Sequence, residues 1–422
     1  MSLRSIACLA ALVGACGPEP PGGTVITFPG SAVGKERELL ARQVERFERA
    51  HPGIQVDLQP TPDDATQRHQ IYVQRLNARD DDPDVLQLDV VWTPEFAAAG
   101  WILPLDRPGL DPAEFFPATI EANTWNDSLY AIPWFVDVGM LYWRTDLLER
   151  APESMEELVA AGIAAMRGPA AVPRGIVWQG ARYEGLVTVF LEYLGGFGGR
   201  ILTPAGDVVV DSPEAVRALE FMRDEIRRWE IAPEAVLTWH EEETRFAFQN
   251  GTSGMMRNWP YAWTLLSAPE SRVAGRFAVA PMPAAPGGRP TATLGGSQLA
   301  VSAHSDVPDQ ARELIDFLAA PERMLERATV IGQLPARPAL YEDPRLDAAL
   351  PMPGASARAV IDAATPRPVT PIWTQLSEIL QIRLHRALVG QVAPEAALQD
   401  AAEQMRRVIE ETGVRRLRGG AR

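Results

Sequence analysis

Two carboxylates in the first part of the sequence stand where an open α/β sheet places its ligand contacts. Glu36 opens the stretch KERELLARQVERFERA, whose apolar residues recur on one helical face. Asp89 lies near the end of DVLQLDVVW, an apolar stretch that predicts a strand. Ligands of open sheets bind beyond the carboxyl ends of the strands, where the connections diverge. Carboxylates at that place could bind ligand hydroxyl groups, or work as the paired acids of a carbohydrate-cleaving enzyme.

The segment RNWPYAW at 257–263 is a second candidate for ligand contact. Pro260 prevents a helix or a central strand from running through it. Trp259 and Tyr261 are therefore predicted on a turn at the edge of a cleft, and Trp263 is predicted to face a core. Indole faces stack on the C–H faces of sugars, while carboxylates and arginines bind hydroxyl groups. The combination favours a neutral, polyhydroxylated ligand.

The sequence contains 11 tryptophans in 422 residues. Trp92 and Trp134 fall at predicted turns or element ends, so their rings are also expected to be exposed. Core packing is the expectation for four others, Trp101, Trp143, Trp229 and Trp373.

Motifs for catalysis, cofactors or metals are weak. GGFGG at 195–199 lacks the Gly-Lys-Ser/Thr of a phosphate loop. WHEEET at 239–244 lacks the HExxH spacing of a zinc site and is predicted to be a solvated helix start. There is no Gly-x-Ser-x-Gly elbow. We therefore expect no cofactor, no metal and no catalysis, while a carbohydrate-cleaving enzyme with two of the carboxylates stays open.

Composition limits the partners. Forty basic and 55 acidic residues give a formal net charge of −15, which argues against nucleic acid as a partner. Beyond residue 15 no apolar run approaches the ~18 residues of a membrane span. A chain of 422 residues exceeds the usual size of one hydrophobic core, so two domains are expected.

The N-terminus is predicted to be an export signal. Residues 1–15 contain a basic start and an apolar run, and LVGAC resembles a bacterial lipobox. Cys16 would then be the lipid-modified first residue of a tether at 16–23, which anchors the protein outside the cytoplasm, in the periplasm or at the cell surface. The other cysteine, Cys8, lies in the segment that would be removed, so no disulfide is expected.

From Thr24 the pattern alternates between strands and helices, which predicts a parallel sheet with right-handed crossovers. A second lobe is predicted after LYAIPWFVDVGMLYWRTDLL, and the chain is expected to cross between lobes more than once. Helical patterns fill the C-terminal part, before a basic tail at 416–422.

The chain resembles the extracytoplasmic sugar-binding proteins of ABC importers, and most closely their trehalose/maltose-binding branch. The resemblance covers nearly the whole mature chain and rests on seven segments in the family's order: VERFERAHPGIQV, VLQLDVVWTPEFAAAGWILPLD, YAIPWFVDVGMLYWRTDLL, GMMRNWPYAW, LGGSQLAVSA, QLPARPALY and LSEILQIRLHRALVGQVAPEAALQDA. It implies the type II periplasmic-binding-protein fold, with two α/β lobes, each a mainly parallel sheet flanked by helices, and a hinge of several segments. It also implies that the protein closes on a carbohydrate and then docks on the permease of an ABC transporter. A monomer suits a protein that must close and dock.

The resemblance also implies roles for particular residues. Glu36 and Asp89 of the first lobe, with Asp137 near the hinge, would bind hydroxyl groups. Trp259 and Tyr261 would stack on sugar rings. The remaining implied contacts are Gly295 and Gly296, which would let the backbone approach the ligand, and Arg337, which would bind a hydroxyl group.

Two positions depart from the family's pattern. Ser297 stands where a tryptophan commonly follows the paired glycines, and Phe135 stands where a tyrosine is common. Trehalose or maltose is the expected ligand, but an altered disaccharide, a modified sugar, a smaller ligand or a non-sugar solute could fit instead.

The predicted division of the chain follows. Lobe I takes 24–135 and 281–332; lobe II takes 136–280 and 333–415.

Overall fold

The computed structural model describes residues 23–30, 35–203, 205–350 and 352–414. The predicted export signal, Cys16 and the basic tail at 416–422 lie outside the described residues. The helices are α1 (Glu36–Ala50), α2 (Ala65–Asn77), α3 (Thr93–Ala98), α4 (Pro117–Asn123), α5 (Met155–Arg167), α6 (Glu184–Gly196), α7 (Pro213–Arg227), α8 (Glu241–Gln249), α9 (Tyr261–Leu266), α10 (Pro308–Leu318), α11 (Pro321–Ile331), α12 (Pro344–Ala349), α13 (Gly354–Ala363), α14 (Trp373–Leu388) and α15 (Pro394–Thr412). The strands are β1 (Thr24–Gly30), β2 (Ile54–Pro60), β3 (Val85–Asp89), β4 (Thr124–Trp125), β5 (Ser128–Leu129), β6 (Ile132–Val138), β7 (Met140–Arg144), β8 (Arg174–Val177), β9 (Ser253–Asn258), β10 (Phe277–Ala280), β11 (Leu294–Val301) and β12 (Leu334–Pro335).

The described chain forms two α/β lobes. In lobe I the strand order is β12-β6-β11-β3, and the parallel pair β1-β2 packs beside β3. Helices α1 to α4 and α10 to α13 cover these strands. In lobe II the order is β10-β7-β9-β8, covered by α5 to α9, α14 and α15. The two-lobe α/β prediction is confirmed.

The strand directions are more mixed than predicted. Among the described strands, only β1-β2 and β8-β9 pair in parallel. In lobe I, β6 pairs antiparallel with β11 and β12, and β11 with β3; in lobe II, β7 pairs antiparallel with β9 and β10. The reason is that β6 passes directly into β7, and β11 returns to lobe I from β10, without the helical crossover that a parallel pair requires.

Local sequence explains where several helices begin. The Asp64 side chain accepts a hydrogen bond from Gln67 N at 2.9 Å and so caps α2. Ser154 caps α5 in the same way through Glu157 N at 3.1 Å. On α1, Leu40, Val44 and Phe47 are buried as their spacing predicts. The charged face of that helix is left to solvent, apart from Glu36, which is buried.

Within the described residues three segments connect the lobes: Gly139 between β6 and β7, 281–293 between β10 and β11, and 364–372 between α13 and α14. The predicted boundaries at 135/136 and 332/333 are therefore wrong. β6 remains in the sheet of lobe I to Val138, and β12 and α13 pack against it. The chain thus stays in lobe I for about 30 residues beyond Gln333 before its last crossing.

The burial of two tryptophans differs from the prediction made from the sequence. Trp92 and Trp134 are 4% and 0% exposed, so the expectation of exposed rings is wrong for both. Trp134 lies on β6 in the middle of the sheet, and Trp92 packs against Phe96 and Tyr72. Both rings belong to the core of lobe I.

Candidate functional site

A cavity between the lobes collects most of the predicted contact residues. Its volume is about 130 Å³. Nine of the ten predicted residues line it: Glu36, Asp89, Phe135, Asp137, Trp259, Tyr261, Gly295, Gly296 and Ser297. That they form one site follows from the fold, because the ends of β3 and β6, the start of α1 and the turn after β9 meet there.

Arg337 is the exception. It does not line the cavity. Its guanidinium pairs with Glu114 and lies 4.2 Å from the centre of the Phe115 ring. The segment LPARP enters the short helix at Pro338–Glu342, and this directs the Arg337 side chain to another surface of lobe I. Arg337 is therefore not placed to contact a ligand hydroxyl group in this cavity.

Glu36 is held at the cavity by a buried group of donors. Its Oε1 accepts hydrogen bonds from Arg327 at 2.9 Å and from Gln333 Nε2 at 3.0 Å. Arg327 is fully buried, and its guanidinium carbon lies 3.8 Å from the centre of the Trp134 ring. Burial lowers the pKa of Arg327 to about 10, an effect that the charge of Glu36 opposes. The carboxylate is thus fixed in place before any ligand arrives.

Asp89 is held by an arginine that bridges the two lobes. Arg367, in the third crossing, donates to Asp89 Oδ1 at 2.7 Å and to Glu184 Oε1 at 2.6 Å. Asp89 ends β3 of lobe I, whereas Glu184 opens α6 of lobe II. All three residues line the cavity. One buried cation therefore bridges a carboxylate from each lobe.

Asp137 is the least satisfied acid of the site. Its Oδ1 is buried and has no hydrogen-bond partner among the described residues. Burial, with the charge of Glu36, raises the pKa of Asp137 to about 7, although Arg257 and Arg327 oppose the shift. A buried carboxyl oxygen without a donor is costly. A ligand hydroxyl group in the cavity could supply that donor.

Trp259 is the aromatic surface that lobe II presents. It follows β9 directly and is half-buried at the cavity wall. The Arg257 guanidinium carbon lies 3.8 Å from its ring centre, and its Nε1 donates to Glu241 Oε1 at 3.3 Å. Arg257 is itself fully buried against Glu192, with N–O distances of 2.7 and 2.5 Å. The ring is therefore held from behind by a buried ion pair.

The rest of the aromatic segment has two different roles. Tyr261 opens α9, lines the cavity and donates from its hydroxyl to Glu242 Oε1 at 2.7 Å. Trp263 packs its ring on Phe277 at 4.7 Å between centres, outside the cavity lining. The segment thus places Trp259 and Tyr261 at the cavity and the Trp263 ring toward the core.

The paired glycines have separate structural reasons. A Cβ on Gly295 would lie 3.3 Å from the Trp259 ring, so this glycine admits the indole. Gly296 has φ +119°, and a Cβ there would overlap the carbonyl of Phe135. The next residue, Ser297, precedes an irregularity in the pairing of β11 with β6. Its hydroxyl accepts from Gln87 Nε2 at 3.1 Å.

Sequence reasoning missed several residues of the site. Five residues that the sequence did not predict as ligand contacts also line the cavity: Gln87, Glu184, Glu241, Gln333 and Arg367. Glu241 lies in WHEEET, which was interpreted only as a solvated helix start. The one available signal was alternation on β3, which places Gln87 on the same strand face as Asp89.

The lobes also touch at the edge of the cavity. His240, just before α8, forms a bond between Nε2 and Asp64 Oδ2 of lobe I at 3.2 Å. Glu184 N donates to Thr66 Oγ1 at 3.4 Å. The hydrogen bond to Asp64 raises the pKa of His240. Burial acts to raise the pKa of Asp64, but the bond to His240 and backbone donors still lower the pKa of that carboxyl. The structure therefore shows the two lobes in contact around the cavity.

Two lobes joined by three crossings, with a polar and aromatic cavity between them, define a two-lobe solute receptor. Within the described part of the chain, no helix has the length and apolar character to cross a bilayer.

Comparison with known proteins agrees with this class. Residues 33–324 match the family of bacterial extracellular solute-binding proteins, and the chain belongs to that family. A relative in Deinococcus radiodurans, described as a probable ABC transporter-binding protein, is 35% identical over 91% of this chain and 93% of its own length.

Solved structures show the same architecture. Maltose-bound T. maritima MalE3 is 43% identical, covers 91% of this chain and 100% of its own, and superposes with a TM-score of 0.87. An ABC transporter solute-binding protein from Thermotoga lettingae, bound with α-D-tagatose, is 24% identical, covers 92% and 100%, and has a TM-score of 0.81. The second likeness shows the fold alone.

Proposed function

We propose that this protein binds a carbohydrate, most simply a disaccharide such as maltose or trehalose, and delivers it to an ABC importer. The observation that carries the proposal is the composition of the cavity, where carboxylates of lobe I face the Trp259 ring of lobe II. The maltose bound to a 43% identical neighbour supports a sugar of this size. The carboxylates would accept hydrogen bonds from hydroxyl groups while the indole covers a C–H face.

The ligand would bind the closed protein better than the open one, because it touches both lobes only after closure. No chemical step is part of the proposal. Glu36 and Asp89 are each paired with a buried arginine, which suits fixed hydrogen-bond acceptors.

A thermal-shift screen of the chain without its export signal, against mono- and disaccharides, tests the ligand. A ligand that binds only the folded state raises the melting temperature with its concentration. A saturable rise with a disaccharide is expected. No rise with any sugar would contradict a sugar ligand and favour a modified or non-sugar solute.

Prolonged incubation with the same sugars tests the absence of catalysis. A receptor returns its ligand intact, and this is the expected result on chromatography. Shorter products would instead support the carbohydrate-cleaving enzyme, with two of Glu36, Asp89 and Asp137 as its acids.

The anchor and the partner complete the proposal. Cys16 would carry the lipid, and the closed monomer would dock on the permease subunits of the transporter. Growth with a labelled fatty acid should label the wild type and leave Cys16→Ala unlabelled. An unlabelled wild type would contradict the anchor.

A further inference from the structure

The back face of the Trp259 ring is occupied within the protein itself. The guanidinium of Arg257 lies 3.8 Å from the ring centre, and a Cβ at Gly295 would be 3.3 Å from the ring edge. One face is thereby taken by a buried cation. A ligand has the other face only, and its stacking geometry depends on how the guanidinium holds the ring.

Hydrogen bonds to Glu192 and Gln179 hold the Arg257 guanidinium in place. Glu192, on α6, accepts from Arg257 Nε at 2.7 Å and from Nη2 at 2.5 Å. Gln179 Oε1 accepts from Nη1 at 3.1 Å, and the Gln179 amide donates to the Arg257 carbonyl at 3.1 Å. Arg257, Glu192 and Gln179 are all 0% exposed. A planar fork held at both ends sets the plane of the indole.

The same ion pair touches two of the three crossings between the lobes. Thr293, in the second crossing, donates from its backbone N to Glu192 Oε1 at 3.3 Å. Gly139, in the first crossing, lies so close that a Cβ there would overlap Glu192 Oε1 and crowd Arg257 Nη2. The buried pair therefore contacts the ring on one side and the hinge on the other.

We propose that Arg257 and Glu192 are positioning residues, which fix the Trp259 ring for stacking and couple its orientation to the hinge. The proposal rests on the proposed function, because it takes Trp259 as the stacking surface. A movement of either crossing that displaces Glu192 turns the guanidinium and, with it, the indole. The ring is then correctly placed only in the arrangement of the lobes that closes the cavity.

The substitution Arg257→Lys tests the proposal while it keeps the buried positive charge. An ammonium group cannot bind Glu192 in a fork or cover the indole as a plane. The matched control is Arg144→Lys. Like Arg257, Arg144 is buried in lobe II outside the cavity lining, and two bonds of 2.6 Å hold it to Asp146. It lies at the end of β7 away from the hinge.

Two readouts are needed, one with sugar and one without. Sugar affinity, by calorimetry, should fall at least tenfold in Arg257→Lys and stay within twofold in Arg144→Lys. The fluorescence of Trp259, obtained as the difference between each protein and its Trp259→Phe partner, should become more quenchable by acrylamide in Arg257→Lys without any ligand. Comparable melting temperatures of the two lysine variants would assign the affinity loss to position and not to stability.

An unchanged quenching of Trp259 in Arg257→Lys would overturn the proposal, and so would an affinity within twofold of the wild type. Because quenching needs no ligand, it decides the inference even where no sugar binds the wild type and the proposed function fails. Gly139→Ala is the second variant, for the case in which the lysine variant does not fold. It adds one methyl group against Glu192 and removes no charge, and the same increase in quenching is expected.

Discussion

The two lobes contain the same three-residue arrangement, turned in opposite directions. In lobe I, Arg327 stacks on Trp134 and pairs with Glu36; in lobe II, Arg257 stacks on Trp259 and pairs with Glu192. Both guanidinium groups lie 3.8 Å from the ring centre. A glutamine completes each group: Gln333 in lobe I and Gln179 in lobe II.

The difference lies in which end reaches the cavity. Lobe I buries its ring completely and presents the carboxylate of Glu36, whereas lobe II buries the carboxylate of Glu192 and presents the ring. Lobe I is therefore equipped to bind hydroxyl groups, and lobe II to cover a C–H face. The two arrangements thus offer different kinds of contact, and a ligand that uses both must touch both lobes.

Removing the carboxylate that lobe I presents should have the largest effect. Glu36→Gln leaves Arg327 buried without a counter-charge, and breaking such a pair costs about 3–5 kcal/mol of unfolding free energy. Sugar binding should also weaken strongly, since a neutral amide oxygen is a poorer acceptor for a hydroxyl group than a carboxylate. Denaturant unfolding and calorimetry measure the two losses. Full sugar affinity in a destabilised Glu36→Gln protein would break the comparison between the lobes.

Asp137 lies between the two arrangements. Its buried carboxyl group should lower the stability of the ligand-free protein and strengthen ligand binding. Its pKa of about 7, against 3.8 without burial, means that the unfolded chain binds fewer protons than the folded protein between these pH values. The unfolding free energy of the ligand-free protein therefore loses up to about 4 kcal/mol through this group as pH rises from 4 to 8.

Asp137→Asn should remove that loss. The variant is expected to be more stable than the wild type at pH 8, with little difference at pH 4, and to bind sugar more weakly. Thermal unfolding at the two pH values measures the first effect. Equal stability of both proteins at pH 8 would show that the buried carboxyl carries no such cost.

Removing the Trp259 ring should have a smaller effect, and only on the free energy of sugar binding. Trp259→Ala should weaken sugar binding by ~1–3 kcal/mol, through loss of buried apolar contact. Trp263→Ala is the matched control, because that ring packs on Phe277 and does not line the cavity. Calorimetry should show a loss for the first variant and near wild-type affinity for the second. Equal losses would remove the distinction between the two rings.

The contact at the cavity edge should give the smallest effect. Asp64 raises the pKa of His240, so this contact stabilises closure fully below the pKa of an unpaired histidine, about 6.5, and loses that contribution as pH rises through the raised value. Partly exposed ion pairs contribute about 0.2–1 kcal/mol. Sugar affinity of Asp64→Asn should therefore be slightly below that of the wild type at pH 6, and the difference should shrink at pH 8. A larger difference at pH 8 would contradict this sign.

Sequence alone predicted the parts of the site that lie at element ends. Glu36 and Asp89 were predicted from the start of a helix and the end of a strand, and Trp259 and Tyr261 from the proline between them. These are local patterns, and the structure places all four residues at one cavity. Their role as ligand contacts remains a prediction.

The arrangements behind those residues could not be predicted in this way. Arg327 is 291 positions from Glu36, and Arg367 is 278 from Asp89, so each pair depends on the completed fold. Trp134 gave the opposite error: its position at an element end suggested exposure, but β6 lies between β11 and β12, and its ring is covered. The predicted cavity contact of Arg337 was wrong for the same reason. The packing of lobe I decides where this side chain points, and no local pattern shows it.

The most direct test of complementary lobes is a fluorescence titration of the wild type and of Trp259→Phe with maltose and trehalose. The account predicts a saturable change in tryptophan emission for the wild type with at least one of the two sugars. In Trp259→Phe the change should be much smaller and the affinity lower. An unaltered signal and affinity in Trp259→Phe would contradict the claim that lobe II binds the ligand through this ring.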